Sequence, residues 1–186
     1  MSTSEKRRFP KLAIVSIALT LILLALVLTG TVKVFNIPTG GMAPTVQSGD
    51  SIIATRTYRA ADGFERGEAV IFHPPHDPSS WYVQRIVAIP GDRIEVIDGH
   101  LVVNGQAALS PEDLHSIPPD RSRLPPPFLT LAPSYPLTVP PDEFFMLGDN
   151  FENSLDSRYF GTVPAENITH TPRRIIWPLD RGSKID

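Results

Sequence analysis

The stretch LAIVSIALTLILLALVLT, from Leu12 to Thr29, carries no charge in 18 residues and constrains this chain more than any other. As a helix rising about 1.5 Å per residue it spans roughly 27 Å, enough to cross a bilayer core. A soluble amphipathic helix keeps a polar face, and this run has none. A cleaved secretory leader has an apolar core of roughly 7–15 residues ahead of an A-x-A-like site. This core is longer, and Gly30-Thr31-Val32-Lys33-Val34-Phe35 after it lacks that pattern. Lys6, Arg7, Arg8 and Lys11 precede the run, an arrangement that holds an N-terminus in the cytoplasm. The expected organisation is a cytoplasmic basic tail over 1–11, a transmembrane signal anchor over 12–29 and one extracytoplasmic domain over 30–186. The apolar run at Ile175 to Leu179 is far too short to span, so the anchor is single-pass.

Beyond the anchor there is room for one domain of moderate size. Hydrophobic residues make up 41% of the 186 and charged residues 20%, so a packed core is within reach and wholesale disorder is excluded. The absence of cysteine removes disulfide scaffolds, cysteine nucleophiles and cysteine-ligated zinc together. Of 17 basic and 20 acidic residues the tail holds four and one, which leaves 13 against 19 beyond it, a net of −6. Such a domain has no basic field for nucleic acid and is poorly suited to lying on anionic lipid through a broad basic patch. Neither a metal nor a cofactor is expected.

The periodic signal is strand-like. Ser51–Ala54, Ala69–Phe72, Tyr82–Ile89, Arg93–Ile97, Leu101–Val103 and Glu143–Leu147 are short apolar runs bounded by Gly, Asp, Asn or Pro. Asp98-Gly99 is a favoured type I′ hairpin turn, and Asn104-Gly105 is a second turn-prone pair. Prolines disfavour a helical bundle, and half of the 20 fall within residues 108–141, which reads as an irregular surface excursion outside the sheet. The expected fold is mostly antiparallel β behind one N-terminal helix.

Three segments can carry chemistry. Ile37-Pro38-Thr39-Gly40-Gly41-Met42-Ala43-Pro44-Thr45 sets two glycines between prolines, where a bound chain can approach backbone closely; its plainer reading is a linker turn. Tyr82-Val83-Gln84-Arg85 begins a strand that runs into Pro90-Gly91-Asp92. Gly148-Asp149-Asn150-Phe151-Glu152-Asn153-Ser154-Leu155-Asp156-Ser157-Arg158 is a polar loop after a very apolar strand, and its Asp, Asn and Arg also read as groups satisfying turn backbone plus an Asp–Arg pair.

In this order behind an anchor, the segments resemble the bacterial signal peptidase I family, from about Phe35 to Pro164. Arg66-Gly67-Glu68-Ala69-Val70-Ile71-Phe72 matches a further strand, and the loop matches G-D-N-x-x-x-S-x-D-S-R-x-x-G at every fixed position. The resemblance implies a signal-peptidase-like β domain in a bacterial cytoplasmic membrane. Family enzymes cut signal peptides from exported proteins with a serine nucleophile and a lysine general base. The family pattern I-P-S-G-S-M-x-P-T sets that serine where this chain has Gly41, and Y-[VI]-K-R sets the lysine where it has Gln84.

A glycine has no oxygen to attack a carbonyl, and a glutamine amide is essentially non-basic. The resemblance further assigns Thr39 an oxyanion-hole donor, Gly40, Met42 and Pro44 to the substrate groove, and Asp149, Asn150, Ser154, Asp156 and Arg158 to a supporting polar network. Ser154, with no lysine to support, is expected to bond the Gln84 amide. Some relatives use histidine as base, but His73, His76, His100, His115 and His170 all stand elsewhere; His73-Pro-Pro-His76-Asp77 reads as two exposed loop histidines held apart, a base pair or metal site being its rival. Three functions are open to such a chain. It is a silent homologue holding extended segments of exported proteins, as an assembly factor, a chaperone or the partner of an active peptidase paralogue. Alternatively it is an active peptidase with a non-standard nucleophile, or a structural envelope protein.

Overall fold

The computed structural model describes residues 11–107 and 131–185. Helix α1, Lys11–Leu28, is 18 residues long with no buried side chain, and it is long and apolar enough to cross a membrane. Beyond it the described residues contain eleven strands: β1 (Val32–Asn36), β2 (Ser51–Arg56), β3 (Ala69–Phe72), β4 (Tyr82–Ala88), β5 (Arg93–Ile97), β6 (His100–Val103), β7 (Gln106–Ala107), β8 (Leu137–Thr138), β9 (Glu143–Leu147), β10 (Val163–Pro164) and β11 (Ile168–Trp177). They form a seven-stranded sheet in the order β1-β2-β11-β3-β4-β9-β10 and a four-stranded sheet in the order β7-β6-β5-β8. Every described pairing is antiparallel.

The hairpin expected at Asp98-Gly99 joins β5 to β6, with φ of 52° and 82° at its two central residues, the positive pair that a type I′ turn needs. Phe144 and Phe145, neighbours on β9, enter different clusters. Phe144 packs with Phe72, Ile86 and Phe160. Phe145 joins Ile94, Leu101 and Val139 in the layer between the two sheets. A strand buried on both faces reads as a continuous apolar run, which is why Glu143–Leu147 shows no alternation.

Two expectations are corrected. Residues 108–130 of the Pro-rich excursion lie outside the described residues, but its last part is not irregular: Leu137 and Thr138 pair with Ile94 and Arg93, and Val139 is buried. The longest strand, β11, corresponds to none of the expected runs, although it lies between β2 and β3 in the middle of the large sheet. Pro172 falls next to a register shift, where the break in the ladder tolerates a residue without an N–H.

Candidate functional site

The segment after β1 and the start of β4 enclose a cleft of about 460 Å³. Thr39, Gly40, Gly41 and Met42 line one side, Trp81 to Gln84 another, and Asn153 to Leu155 close it. The structure therefore brings the two positions Gly41 and Gln84 to one cavity, with Thr39 and Ser154 beside them. Pro44 is exposed and outside the lining. Strand β4 pairs with β9 only from Arg85 to Ala88, so no described strand covers Tyr82–Gln84 on that edge. Trp81 is fixed edge-on to Phe35, ring centroids 4.9 Å apart.

Gln84 is 3% exposed. Its Nε2 donates to the Leu155 carbonyl at 2.7 Å, and its Oε1 is buried with no partner. The expected bond between Ser154 and the Gln84 amide is not formed; Leu155, one residue on, offers a backbone acceptor instead. The Ser154 hydroxyl bonds no described group, and its Oγ lies 3.7 Å from where a Cβ on Gly41 would stand. Among the described residues, no lysine, histidine, carboxylate or arginine lines the cleft.

Behind the glycines stands a clamp. The Asn150 side chain donates to the Gly40 carbonyl at 3.0 Å, and its backbone N–H donates to the Gly41 carbonyl at 3.0 Å. The Gly40–Gly41 bond is trans, so a carbonyl held toward Asn150 turns the Gly41 N–H the opposite way. That N–H donates to no described group. Asp149 accepts two bonds from Arg85, both 2.9 Å, and one from Thr45 at 2.6 Å, tying the glycine segment to β4 one residue beyond Gln84.

A second network sits deeper. Asp156 and Arg158, both essentially buried, pair at two points, 2.7 and 2.8 Å. Asp156 also caps the short helical turn Ser157–Phe160 by accepting from the Arg158 backbone, and it accepts from Gly148 at 3.3 Å. Arg158 reaches the Phe151 carbonyl, and the Ser157 hydroxyl accepts from Met146 on β9. Burial lowers the guanidinium pKa, but the Asp156 hydrogen bond and charge outweigh it and raise the group above its usual range. Neither residue reaches the cleft; they hold the loop that does.

Gly148 is a position the motif marks without explaining. A Cβ there would lie 2.7 Å from the Ser154 Cβ and closer still to Ser154 Oγ and the Gly41 carbonyl oxygen, so three segments meet where only a hydrogen fits. The loop histidines, expected to be exposed, are half-buried. His73 Nδ1 meets the Ser80 carbonyl at 2.5 Å, while His76 packs 5.1 Å from the Phe160 ring. Burial holds His76 below its usual pKa, with Asp77 opposing. No metal-binding group of side chains occurs among the described residues.

Fold and cleft together define a class: an antiparallel β domain carried behind an apolar helix, with a groove between a clamped Gly-Gly segment and an open strand edge. The chain belongs to the signal peptidase family, peptidase S26, which matches residues 11–177. It is 33% identical to a probable signal peptidase I-2 of Synechocystis sp., over 96% of this chain and 81% of that one. A signal peptidase I P of Bacillus subtilis subsp. natto is 30% identical over 97% of each chain. A crystal structure of a signal peptidase I from Enterococcus faecalis aligns with 56% of this chain and 92% of its own, at 28% identity and a TM-score of 0.41.

Proposed function

We propose that this chain is anchored through α1 in a bacterial cytoplasmic membrane, N-terminus inside, and holds extended segments of exported proteins in the cleft without cutting them. The observation that carries this reading is a binding groove with neither reagent in it. The Gly41 N–H points away from the Asn150 clamp and donates to no described group, as an oxyanion-type donor requires. Tyr82–Gln84 offers an open edge for strand addition by a peptide. Yet residue 41 supplies no side-chain oxygen, Gln84 is no base, and no described basic residue lines the cleft.

The test is the full chain, in detergent or liposomes, incubated with a preprotein bearing its signal peptide. Expected is saturable binding with no processed product. Appearance of mature protein ends the silent reading, and no measurable binding ends the holding reading in favour of a structural role. One observation favours the active alternative: the Ser154 hydroxyl stands beside the Gly41 position with no hydrogen-bond partner among the described residues. If Ser154 were the nucleophile, any cleavage would vanish in Ser154→Ala.

A further inference from the structure

Where α1 ends, the chain turns at once into the sheet. Thr31, three residues past Leu28, accepts from the Arg56 backbone at 2.8 Å, and His170 Nε2 faces the Gly30 carbonyl at 3.4 Å. Three extended residues reach at most about 11 Å. The headgroup layer on each side of a 30 Å hydrocarbon core is about 5–7 Å deep. An 18-residue helix, about 27 Å long, has no length to spare. If α1 spans, the end of β1–β2 nearest the helix lies among or just above the headgroups.

The side chains there are unusual for so acidic a domain. Lys33 and Arg56 are exposed, and neither forms an ion pair with a described residue. Each rests on an aromatic ring instead: Lys33 Nζ lies 4.8 Å from the Phe35 centroid, and the Arg56 guanidinium 5.7 Å from that of Tyr58. An aromatic face steadies a cation without neutralising it, and a stacked guanidinium keeps its N–H edge for an oxyanion. Tyr58 is 76% exposed, an amphipathic ring of the kind enriched at membrane interfaces. Arg59, next along, is held in two bonds to Glu68 and takes no part. Lys33 stands opposite Ala54, two residues before Arg56 on the neighbouring strand, so both cations project from one face of the sheet.

We infer that Lys33, Arg56 and Tyr58 form a collar around the helix exit that binds the headgroups of anionic phospholipid in the outer leaflet. The inference rests on the anchored reading of α1. The broad surface remains acidic, and the collar is a local exception: two unneutralised cations on adjacent strands, with an aromatic side chain between water and acyl chain. Basic residues near a bilayer surface each favour anionic lipid about fivefold, within a Debye length.

The chain has no cysteine, so Ala60→Cys accepts one fluorophore, two residues from Tyr58 on an exposed segment. The labelled full chain is placed in lipid nanodiscs containing headgroup-spin-labelled phosphatidylglycerol or phosphatidylcholine at equal mole fraction. Expected is several-fold stronger quenching by the phosphatidylglycerol analogue, falling toward parity in Lys33→Gln/Arg56→Gln and in 0.5 M salt, and restored in Lys33→Arg/Arg56→Lys. The tail's Lys6, Arg7 and Arg8 are present in all three proteins, so the difference between them reports the exit end alone. Equal quenching by the two lipids in the unmutated collar, or a preference that survives the double substitution, overturns the inference while leaving the anchor intact. A chain that is not retained in the disc overturns the anchored reading itself, and the collar with it.

Discussion

Reinstating the reagents is the sharpest perturbation the cleft allows. The atoms nearest to a Cβ built on Gly41 are Asn153 O and Ser154 Cα and Oγ, all at 3.7 Å, which is ordinary contact. The Gly41 φ is not left-handed, so Gly41→Ser enters without backbone strain. Gln84→Lys replaces a donor by a donor: the amine can keep the Leu155 bond that Nε2 now makes, and it removes the orphaned Oε1. Burying an ammonium in an uncharged cleft pushes its pKa down, which is what a lysine needs to act as a base. Loss of a member of a coupled pair costs about 10⁴–10⁶ in rate, and a positioned base alone contributes about 10²–10⁴. Gly41→Ser/Gln84→Lys is therefore expected to raise preprotein cleavage at least ~10²-fold above the unmodified chain, with each single change at background. The assay is gel-resolved processing with N-terminal sequencing of the product, beside peptide binding and circular dichroism. A double variant that folds and binds peptide undiminished but yields no product refutes the reasoning. So does Gly41→Ser cleaving as fast alone, because the base would then lie elsewhere.

Gly148→Ala forces a methyl into the space shared by Ser154 and the Gly41 carbonyl, and overpacking of that kind costs about 1–3 kcal/mol. An unchanged denaturation midpoint would show that the three segments are not so close. Arg158→Met strands the buried Asp156 carboxylate at a cost of about 3–5 kcal/mol, and Asp156→Leu/Arg158→Met recovers only part of it, because the Gly148 and Arg158 N–H groups then lose their acceptor; chemical denaturation of the pair separates ion pairing from capping. Acid should destabilise in two steps. His170 and His76 are both held below their usual pKa, chiefly by burial, so the unfolded chain binds protons more readily. The stability they give is present above about pH 6.5 and declines as pH falls below it. For Asp92, burial raises the carboxyl, but Arg66, the Ile89 N–H and Asn104 outweigh it and hold it below the usual range; its contribution is present above about pH 4 and is lost as pH falls further. Denaturation midpoints from pH 8 to 2 that fall in a single step would contradict the histidine contribution.

The strands that alternation or continuous apolarity could reveal were legible: Ala69–Phe72 and Arg93–Ile97 stand where expected. β11 was hidden because ITHTPRRIIW carries a proline and two adjacent arginines. Its pairing with β2 also slips twice, between Pro172 and Arg174 and between Ile175 and Trp177, so no single period runs through it. β1 was hidden by its neighbour, since VKVFN comes directly after an apolar run that dominates any window containing it. In the cleft, the family pattern sufficed to pair Gly41 with Gln84, 43 residues apart in the chain. The Asn150 clamp and the Leu155 acceptor could not be read, because a turn carbonyl's partner depends on tertiary placement. Gly148 carried a readable signal, a glycine ending a buried strand, which points to close backbone approach.

The polar loop's full match to its family pattern invites the conclusion that chemistry maintains it, and the contacts argue otherwise. Asp149 ties Thr45 to Arg85, Asn150 holds two carbonyls, Asp156 and Arg158 neutralise each other in the interior, and Ser157 satisfies an N–H of β9. The Asp156, Arg158 and Ser157 bonds satisfy buried polar groups that would otherwise be unpaired, at about 1–3 kcal/mol apiece, and the half-buried Asp149 and Asn150 bonds order the loop, whether or not a peptide bond is ever cut. Gly41 has no side chain to answer such a demand, and Gln84 answers only half of its own. The cleft accepts a glycine with room over it and a glutamine with one bond made and one unmade. Asn150→Ala separates the two roles: it removes the side-chain bond to the Gly40 carbonyl and leaves the backbone bond to Gly41, so the peptide unit that carries the Gly41 N–H loosens, and peptide affinity should fall about fivefold, the worth of one hydrogen bond, while the melting transition moves little. If affinity held while stability collapsed, Asn150 would be serving the fold alone, and the groove would owe nothing to the direction in which the Gly41 N–H points.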